Sequence, residues 1–412
     1  MVDNFEKMVA GSLDLQEPWF VVKAEFNPEK ESMLITIDVR GNAVFACPKC
    51  GSETKRYGYE PNEREWRHGD CMFYPCYIKC RRPKVLCEYC GVQQINAPFE
   101  RKNSSFTLYF EGYALMIMKH MPIANAAKIL RCNEKALSSI LCYWVEQAVD
   151  SEDLSDVIAL ALDETSFKRG HKYVTVIIDA IMRRVIGVEE GKDKEAVEKF
   201  ADKLELKNGS KEDIALVTSD MSTSYLPAIE ENFPNAENII DKFHVKQALN
   251  KALDDVRKAE QKTVADKTTL FRGRRLFMIA QARMSDEQSF KLAEMSKRYP
   301  LTGRAYRIVA ALDDFYACTN LQKAETAFDS LCSWMRRCRL EPMKEAAKTL
   351  LNHKDKILNY FKNRLTNSIC EGVNSLIQAA KRKARGYHTF RTFRAIIHLV
   401  AGKLELSVPT PY

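Results

Sequence analysis

Two cysteine pairs, Cys47-Pro48-Lys49-Cys50-Gly51 and Cys87-Glu88-Tyr89-Cys90-Gly91, constrain this chain more than any other feature. Four thiolates that share one ion must be brought together across everything that lies between them. In each knuckle the glycine after the second cysteine frees the backbone to turn beneath the sulfurs. Of the 13 cysteines, seven fall between Cys47 and Cys90. The leading stretch MVDNFEKMVAGSLDL carries acids where a signal peptide needs a basic region, and no long uncharged apolar run follows it. The chain therefore reads as cytoplasmic, with no membrane partner. In a reducing compartment the cysteine cluster points to one structural Zn²⁺ on Cys47, Cys50, Cys87 and Cys90 rather than to disulfides. The interval also holds His68, Cys71, Cys76 and Cys80, which are either further ligands or small buried residues of a strand running from Met72 to Arg81.

Upstream of the knuckles, Trp19 to Phe26 and Met33 to Val39 alternate like strands around the turn signal Asn27-Pro28-Glu29-Lys30, which predicts a hairpin. Lys49, Lys55, Arg56, Arg64, Arg67, Lys79, Arg81, Arg82 and Lys84 are interleaved with Tyr57, Tyr59, Trp66 and Tyr77, a mixture suited to phosphate contacts. The formal charge of +8 permits a polyanionic partner without proving one. Next, Thr107 to His120, Ala124 to Leu130 and Glu134 to Val149 have helical spacing, with the turn Arg131-Cys132-Asn133 before the third. This is the pattern of a helix-turn-helix with Lys135, Ser138 and Ser139 facing base edges. Three packed helices with no nucleic-acid contact fit it equally well.

The apolar run Val157 to Leu162 predicts a buried strand ending at Asp163, followed by Glu164 and a basic loop with Lys168, Arg169 and His171, read as phosphate contacts. Tyr173 to Asp179 and Arg184 to Glu189 continue as an antiparallel meander. Asp193 is expected to cap a helix to Leu204. Ile214 to Ser219 makes a strand ending at Asp220, Thr223 to Asn232 a helix, and Asn238 to Ile240 a strand ending at Asp241. Strand-end aspartates from separate strands are how metal-dependent nucleases assemble ligands. Asp241, with His244 three residues on, either supports that site or caps the helix that follows. Helical sequence then runs from Val245 to about Phe361, with Pro300 and Pro342 as its breaks, before a last core helix opens at Asn367 to Asn374. Past it, the basic run Lys381, Arg382, Lys383 and Arg385 is placed to track DNA.

The stretches LDETSFKRGHKYVTVIIDA, VTSDMSTSYLPAI, FPNAENIIDKFHV and NRLTNSICEGVNSLI with KRKARGY resemble, in order, the transposases of the ISL-three insertion-sequence family. That family also carries paired CxxC knuckles and a helix-turn-helix ahead of its core. The resemblance implies an α+β multidomain chain: a hairpin and zinc-binding β domain at 1–100, a helix-turn-helix at 101–152, and an RNase H-like catalytic core at 153–245 and 362–412 interrupted by an all-helical insertion at 246–361. It implies a catalytic triad of Asp163, Asp220 and Glu371 holding two Mg²⁺, with Mn²⁺ as a substitute, for cleavage and strand transfer. The implied partner is double-stranded DNA, both the element's inverted repeats and the target, bound by a homodimer or higher oligomer at the nucleoid. The competing readings are a domesticated DNA-binding regulator that no longer cuts, against which the intact acids speak, and a nuclease without strand transfer, which needs no DNA-reading modules.

Overall fold

The computed structural model describes residues 2–168, 172–221, 225–363 and 368–408. Two compact units divide it: residues 1–148 with 383–385 and 404–412, and residues 149–382 with 386–403. Among the described residues, no helix is long and apolar enough to cross a membrane.

The first unit begins with helix α1 (Val2–Ser12). Strands β1 (Trp19–Asn27) and β2 (Ser32–Val39) form the expected hairpin, where the Asn27 side chain accepts from the backbone N–H groups of Glu29 and Lys30 at 3.0 Å each and so folds the turn. β3 (Val44–Ala46), β4 (Glu53–Tyr59), β5 (Arg64–Cys71), β6 (Tyr74–Cys80), β7 (Pro83–Cys87) and β8 (Gly91–Gln94) complete two four-stranded sheets, ordered β1-β2-β6-β5 and β3-β4-β7-β8. The strand expected from Met72 starts instead at Tyr74, because Met72 and Phe73 (φ 49° and 71°) form the left-handed turn of the β5–β6 hairpin. Trp66, Ile78 and Val85 are fully buried at the centre of this unit.

Helices α2 (Leu108–His120), α3 (Ile123–Leu130) and α4 (Glu134–Asp150) follow. Thr107 caps α2 by accepting from Phe110 N–H at 3.2 Å, and Arg131 (φ 50°) ends α3 in the left-handed region. The helices are tied together at Glu111, which is fully buried. It accepts from Arg101 at 2.9 Å, from Ser104 Oγ at 2.6 Å and from Trp144 Nε1 at 2.5 Å.

In the second unit β9 (Ala159–Lys168), β10 (Lys172–Asp179), β11 (Arg184–Glu190), β12 (Leu216–Ser219) and β13 (Glu237–Ile240) form one sheet ordered β11-β10-β9-β12-β13. The meander β9–β10–β11 is antiparallel, and β12 pairs in parallel with both β9 and β13. Helices α5 (Lys194–Leu206) and α6 (Tyr225–Asn232) cover one face, packing Phe200, Leu204 and Tyr225 on Leu160, Leu162 and Ile177. Asp193 occupies the N-cap position of α5, but its side chain makes no capping hydrogen bond.

A helical segment then runs through α7 (Lys242–Thr263), α8 (Lys267–Arg272), α9 (Asp286–Arg298), α10 (Pro300–Tyr316), α11 (Leu321–Arg337), α12 (Glu341–Asn352), α13 (Lys354–Leu358) and α14 (Tyr360–Asn363). Its core is built on Leu249, Ile308, Phe315, Phe328, Met335 and Leu350. The breaks expected at Pro300 and Pro342 fall between α9 and α10 and between α11 and α12, with each proline in the first turn of the new helix, where a missing N–H is harmless. The chain returns to the sheet with α15 (Ser368–Ala384) and α16 (Phe390–Ala401). Val373, Ile377, Phe393 and Ile397 cover the other face of the sheet against Ala159, Ala161, Val176 and Ile178.

Candidate active site and metal centre

Strand β9 does not stop at Asp163. It continues to Lys168, so Asp163 lies mid-strand opposite Val176 of β10, because Thr165 and Phe167 stay buried and keep the pairing profitable beyond the carboxylate. The parallel registers decide what stands beside it. Thr218 of β12 is paired with Ala161 and Ser219 with Ile240 of β13, so continuing each register past the strand ends aligns Asp220 with Asp163 on one side and Asp241 on the other. Neighbouring strands are about 4.8 Å apart. Since side chains alternate, Asp163 shares the face of Ala159 and Ala161, the face covered by α15.

Helix α15 meets β9 through polar residues. Asn374 Nδ2 donates to Asp163 Oδ2, Gln378 Nε2 donates to Thr165 Oγ1 at 2.8 Å, and Lys381 Nζ donates to Ser166 Oγ at 2.6 Å and to the Ser166 carbonyl. Residues 371, 374, 378 and 381 lie on one helical stripe. Glu371 therefore sits one turn, about 4.5 Å, before the residue that touches Asp163. It is exposed, in the first turn of the helix. Sequence reading missed Asn374, Gln378, Thr165 and Ser166. The polar spacing on α15 was the available signal, but nothing in the sequence said which strand it would face.

The electrostatics tie the acids together. Burial raises the Asp163 carboxyl above its ordinary value, and the charge of Asp241 adds to this, against the Glu164 N–H (2.7 Å to Oδ1), His244 and Asn374. Glu164, on the opposite face of β9, is raised by burial and then by Asp220 and Asp163. The Tyr225 hydroxyl, bonded to Thr175 Oγ1 at 2.7 Å, is pushed up mainly by burial and further by Glu164, Asp220 and Asp163. These carboxylates crowd one place at a net cost that a cation would offset. Asp241 does cap α7, accepting from Phe243 N–H at 3.1 Å, while its backbone N–H donates to Ser219 O at 3.1 Å. His244 follows in the first turn of that helix. Asp179, by contrast, is consumed structurally: it accepts from Ile181 and Met182 N–H at 3.0 Å each and pairs with Arg184.

One feature suits a cation: among the described residues Asn374 Oδ1 is buried without a hydrogen-bond partner, on the side chain that touches the Asp163 carboxylate. Asp163, Asp220 and Glu371 are not, however, drawn to the spacing of ligands on a single ion. Among the described residues the only group at that spacing is Cys47, Cys50, Cys87 and Cys90, whose sulfurs lie within 4.8 Å of one another.

The cysteine quartet is held by its loops. Gly51 N–H donates to Cys47 O at 2.8 Å, and Gly51 and Gly91 adopt φ of 76° and 69°, which a side chain would strain. Cys50 and Cys87 sulfurs are 3.5 Å apart, too far for a disulfide. Hydrogen bonding with Ser52 lowers the Cys50 thiol to about 6, whereas its bond with Cys50 raises the Cys90 thiol to about 12. The thiols are thus shifted in opposite directions, an imbalance that a dication shared by all four sulfurs would remove. The remaining candidates lie elsewhere. Cys76 and Cys80 are buried, and burial raises both thiols to about 12. His68 is buried, bonded through Nδ1 to Thr107 Oγ1 at 3.0 Å, and burial lowers it to about 4.

The expected DNA contacts are spread over several elements. Lys135 and Ser139 are exposed in the first turns of α4, and Ser138 is half-buried. Lys168 is exposed and donates to His388 O at 2.6 Å. Arg169 and His171 lie outside the described residues. Lys381 is turned onto β9 and lowered by burial, while Arg382, Lys383 and Arg385 are exposed.

A family model described as a transposase matches residues 160–397, and a second, described as the zinc-finger of transposase IS204/IS1001/IS1096/IS1165, matches residues 43–90. The transposase for insertion sequence element IS1557 of Mycobacterium tuberculosis is 24% identical over 397 residues, covering 90% of this chain and 88% of that protein. The transposase for insertion sequence element IS1001 of Bordetella parapertussis is 22% identical over 367 residues, covering 87% of this chain and 90% of that protein. The zinc-finger match and the cysteine quartet together support a structural zinc. With the first model spanning the five-stranded sheet, the helical segment and α15, the chain belongs to the ISL3 family of transposases.

Proposed function

We propose that this chain is a DDE transposase that binds the inverted ends of its insertion sequence, cleaves the DNA there and joins it to a target. The observation that carries this reading is Asp163 on β9 with Asp220 one residue past the end of its parallel neighbour β12, under a helix that touches Asp163 through Asn374 and carries Glu371 one turn earlier. Three antiparallel strands followed by two parallel ones, with helices on both faces, support an RNase H-like core at 153–245 and 362–412, with the insertion at 246–361. The sharp left-handed turn at Arg131, between a short helix and a longer one with Lys135 and Ser139 exposed, supports a helix-turn-helix at 101–152, after a zinc-bearing domain at 1–100.

Asp163, Asp220 and Glu371 are the residues that would hold Mg²⁺. The chemistry supplied there by a pair of ions is activation of the attacking water or 3′-hydroxyl and stabilisation of the leaving oxygen. The chain's own part is to orient. Glu164 N–H and Asn374 fix the two oxygens of Asp163, and the Asp241 cap holds the start of α7 beside the acidic row. Exposed Lys168 and Arg382 supply positive charge for phosphates.

The test is cleavage and strand transfer by the full chain on DNA carrying the element's ends with Mg²⁺. Asp163→Asn, Asp220→Asn and Glu371→Gln should each abolish both while end binding, read by mobility shift, is kept. Full cleavage by Asp163→Asn or Asp220→Asn refutes the catalytic reading, and full cleavage by Glu371→Gln moves the third acid elsewhere.

A further inference from the structure

The geometry points to Asn374 as a bifunctional residue that locks the Asp163 carboxylate with its amide nitrogen and lends its amide oxygen to the bound cation as a neutral ligand. The inference rests on the carboxylate reading above and adds a residue to it. Asp163 receives one donor on each oxygen, Glu164 N–H at 2.7 Å on Oδ1 and Asn374 Nδ2 on Oδ2. Each oxygen retains a lone pair. Turning the Asn374 carboxamide over would set two oxygens against each other, so the charge on Asp163 fixes which end of the amide faces it. The other end, Oδ1, then faces away from Asp163, where it is buried with no hydrogen-bond partner among the described residues. A buried amide oxygen left bare carries an uncompensated desolvation cost, and an oxygen-seeking cation beside Asp163 removes that penalty.

The helix cannot easily swing Asn374 away. Gln378 on Thr165 and Lys381 on Ser166 fasten the next two turns of α15 along the same strand. Amide carbonyls are ordinary ligands for hard cations, and a neutral one adds coordination without adding to the repulsion among Asp163, Asp220 and Asp241.

The test is Mn²⁺ binding to the full chain, zinc-loaded and free of DNA, read from loss of the six-line resonance of free Mn²⁺. Asn374→Ala should weaken Mn²⁺ affinity about 10- to 100-fold. Asn374→Asp, which keeps an oxygen in place but loses the donor, should stay within about tenfold of the unaltered protein, while its metal-free melting temperature falls because two carboxylates now face each other. If Asn374→Ala fails to fold, the Asn374→Asp titration carries the decision. Unchanged affinity in Asn374→Ala, with binding lost in Asp163→Asn, overturns the ligand role and leaves the carboxylate reading standing. Affinity in Asn374→Asp as poor as in Asn374→Ala overturns it too, since then only the donor matters. Unchanged Mn²⁺ affinity in both Asp163→Asn and Asp220→Asn removes the carboxylate site itself.

Discussion

Neutralising Asp163 should strengthen the metal-free protein and weaken it relative to wild type once metal is present. Two carboxylates at the strand spacing of about 4.8 Å would repel by about 3 kcal/mol at an effective dielectric of about 20, which is an upper bound for Asp163. Burial does most to raise Asp163, and the His244 charge outweighs that of Asp241, so the gain from neutralisation comes mainly from relieving a buried charge. Asp163→Asn keeps the geometry: its Oδ1 still accepts from Glu164 N–H, and its amide can donate to Asn374 once that carboxamide turns over. We therefore expect a metal-free gain of about 1–2 kcal/mol, or about 2–8 °C in melting temperature for a unit of this size. The sign follows from the direction of the shift. Asp163 is raised above its ordinary 3.8, so its contribution to metal-free stability is full below that value and lost as pH rises through the higher folded value. The pH-dependent loss should disappear in the variant. With Mg²⁺ at about 100 times its dissociation constant, wild type gains about 2.7 kcal/mol and the variant gains almost nothing, so the order of stability reverses. Melting curves of both proteins with and without Mg²⁺ decide it. A variant less stable than wild type without metal, or an equal Mg²⁺ gain in both, refutes the argument.

Three further outcomes are expected. Cys50→Ala combined with Cys87→Ala should remove zinc and unfold the cysteine module, since thiolate–zinc sites contribute about 10–16 kcal/mol to such folds; a metal assay with near-ultraviolet dichroism checks both. Arg101→Ala strips the bidentate partner from the fully buried Glu111 carboxylate and should destabilise the first unit by about 3–5 kcal/mol in urea denaturation; a loss under 1 kcal/mol would mean that Ser104 and Trp144 suffice. Asp241→Asn keeps the α7 cap, because asparagine caps as well as aspartate, and should retain measurable cleavage where Asp163→Asn retains none; equal loss in both would make Asp241 a direct ligand.

The knuckles, the hairpin at Asn27 and the strands leading to Asp220 and Asp241 were legible because each rests on local chemistry: paired thiols, an Asx turn, apolar runs with an acid behind them. The end of β9 was not. An apolar run shows where burial is continuous, whereas the strand persists past Asp163 because β10 still pairs with it and Thr165 and Phe167 remain buried. The turn at Met72-Phe73 was missed for a related reason, since neither residue favours a left-handed backbone and the hairpin imposes it. Asn374 was invisible as a site residue because its role depends on which strand α15 lies along. Lys381 looked like part of a basic run, yet only its packing tells an inward lysine from its solvated neighbours.

The helical excursion leaves the sheet at Asp241 and comes back to the strand it departed from. Asn359 Nδ2 donates to Asn238 O at 2.9 Å, Asn363 Nδ2 donates to Glu237 Oε2 at 2.8 Å, and Lys362 pairs with Glu237 at 3.5 Å. Departure and return are thus riveted to β13 within a few residues of each other, like the two feet of an arch on one plinth. Away from Ile240, which belongs to the same core, the span can lengthen, shorten or be exchanged with both its ends still held on β13. A lineage carrying this architecture is free to remodel what overhangs the acidic row while the chemistry below keeps its alignment.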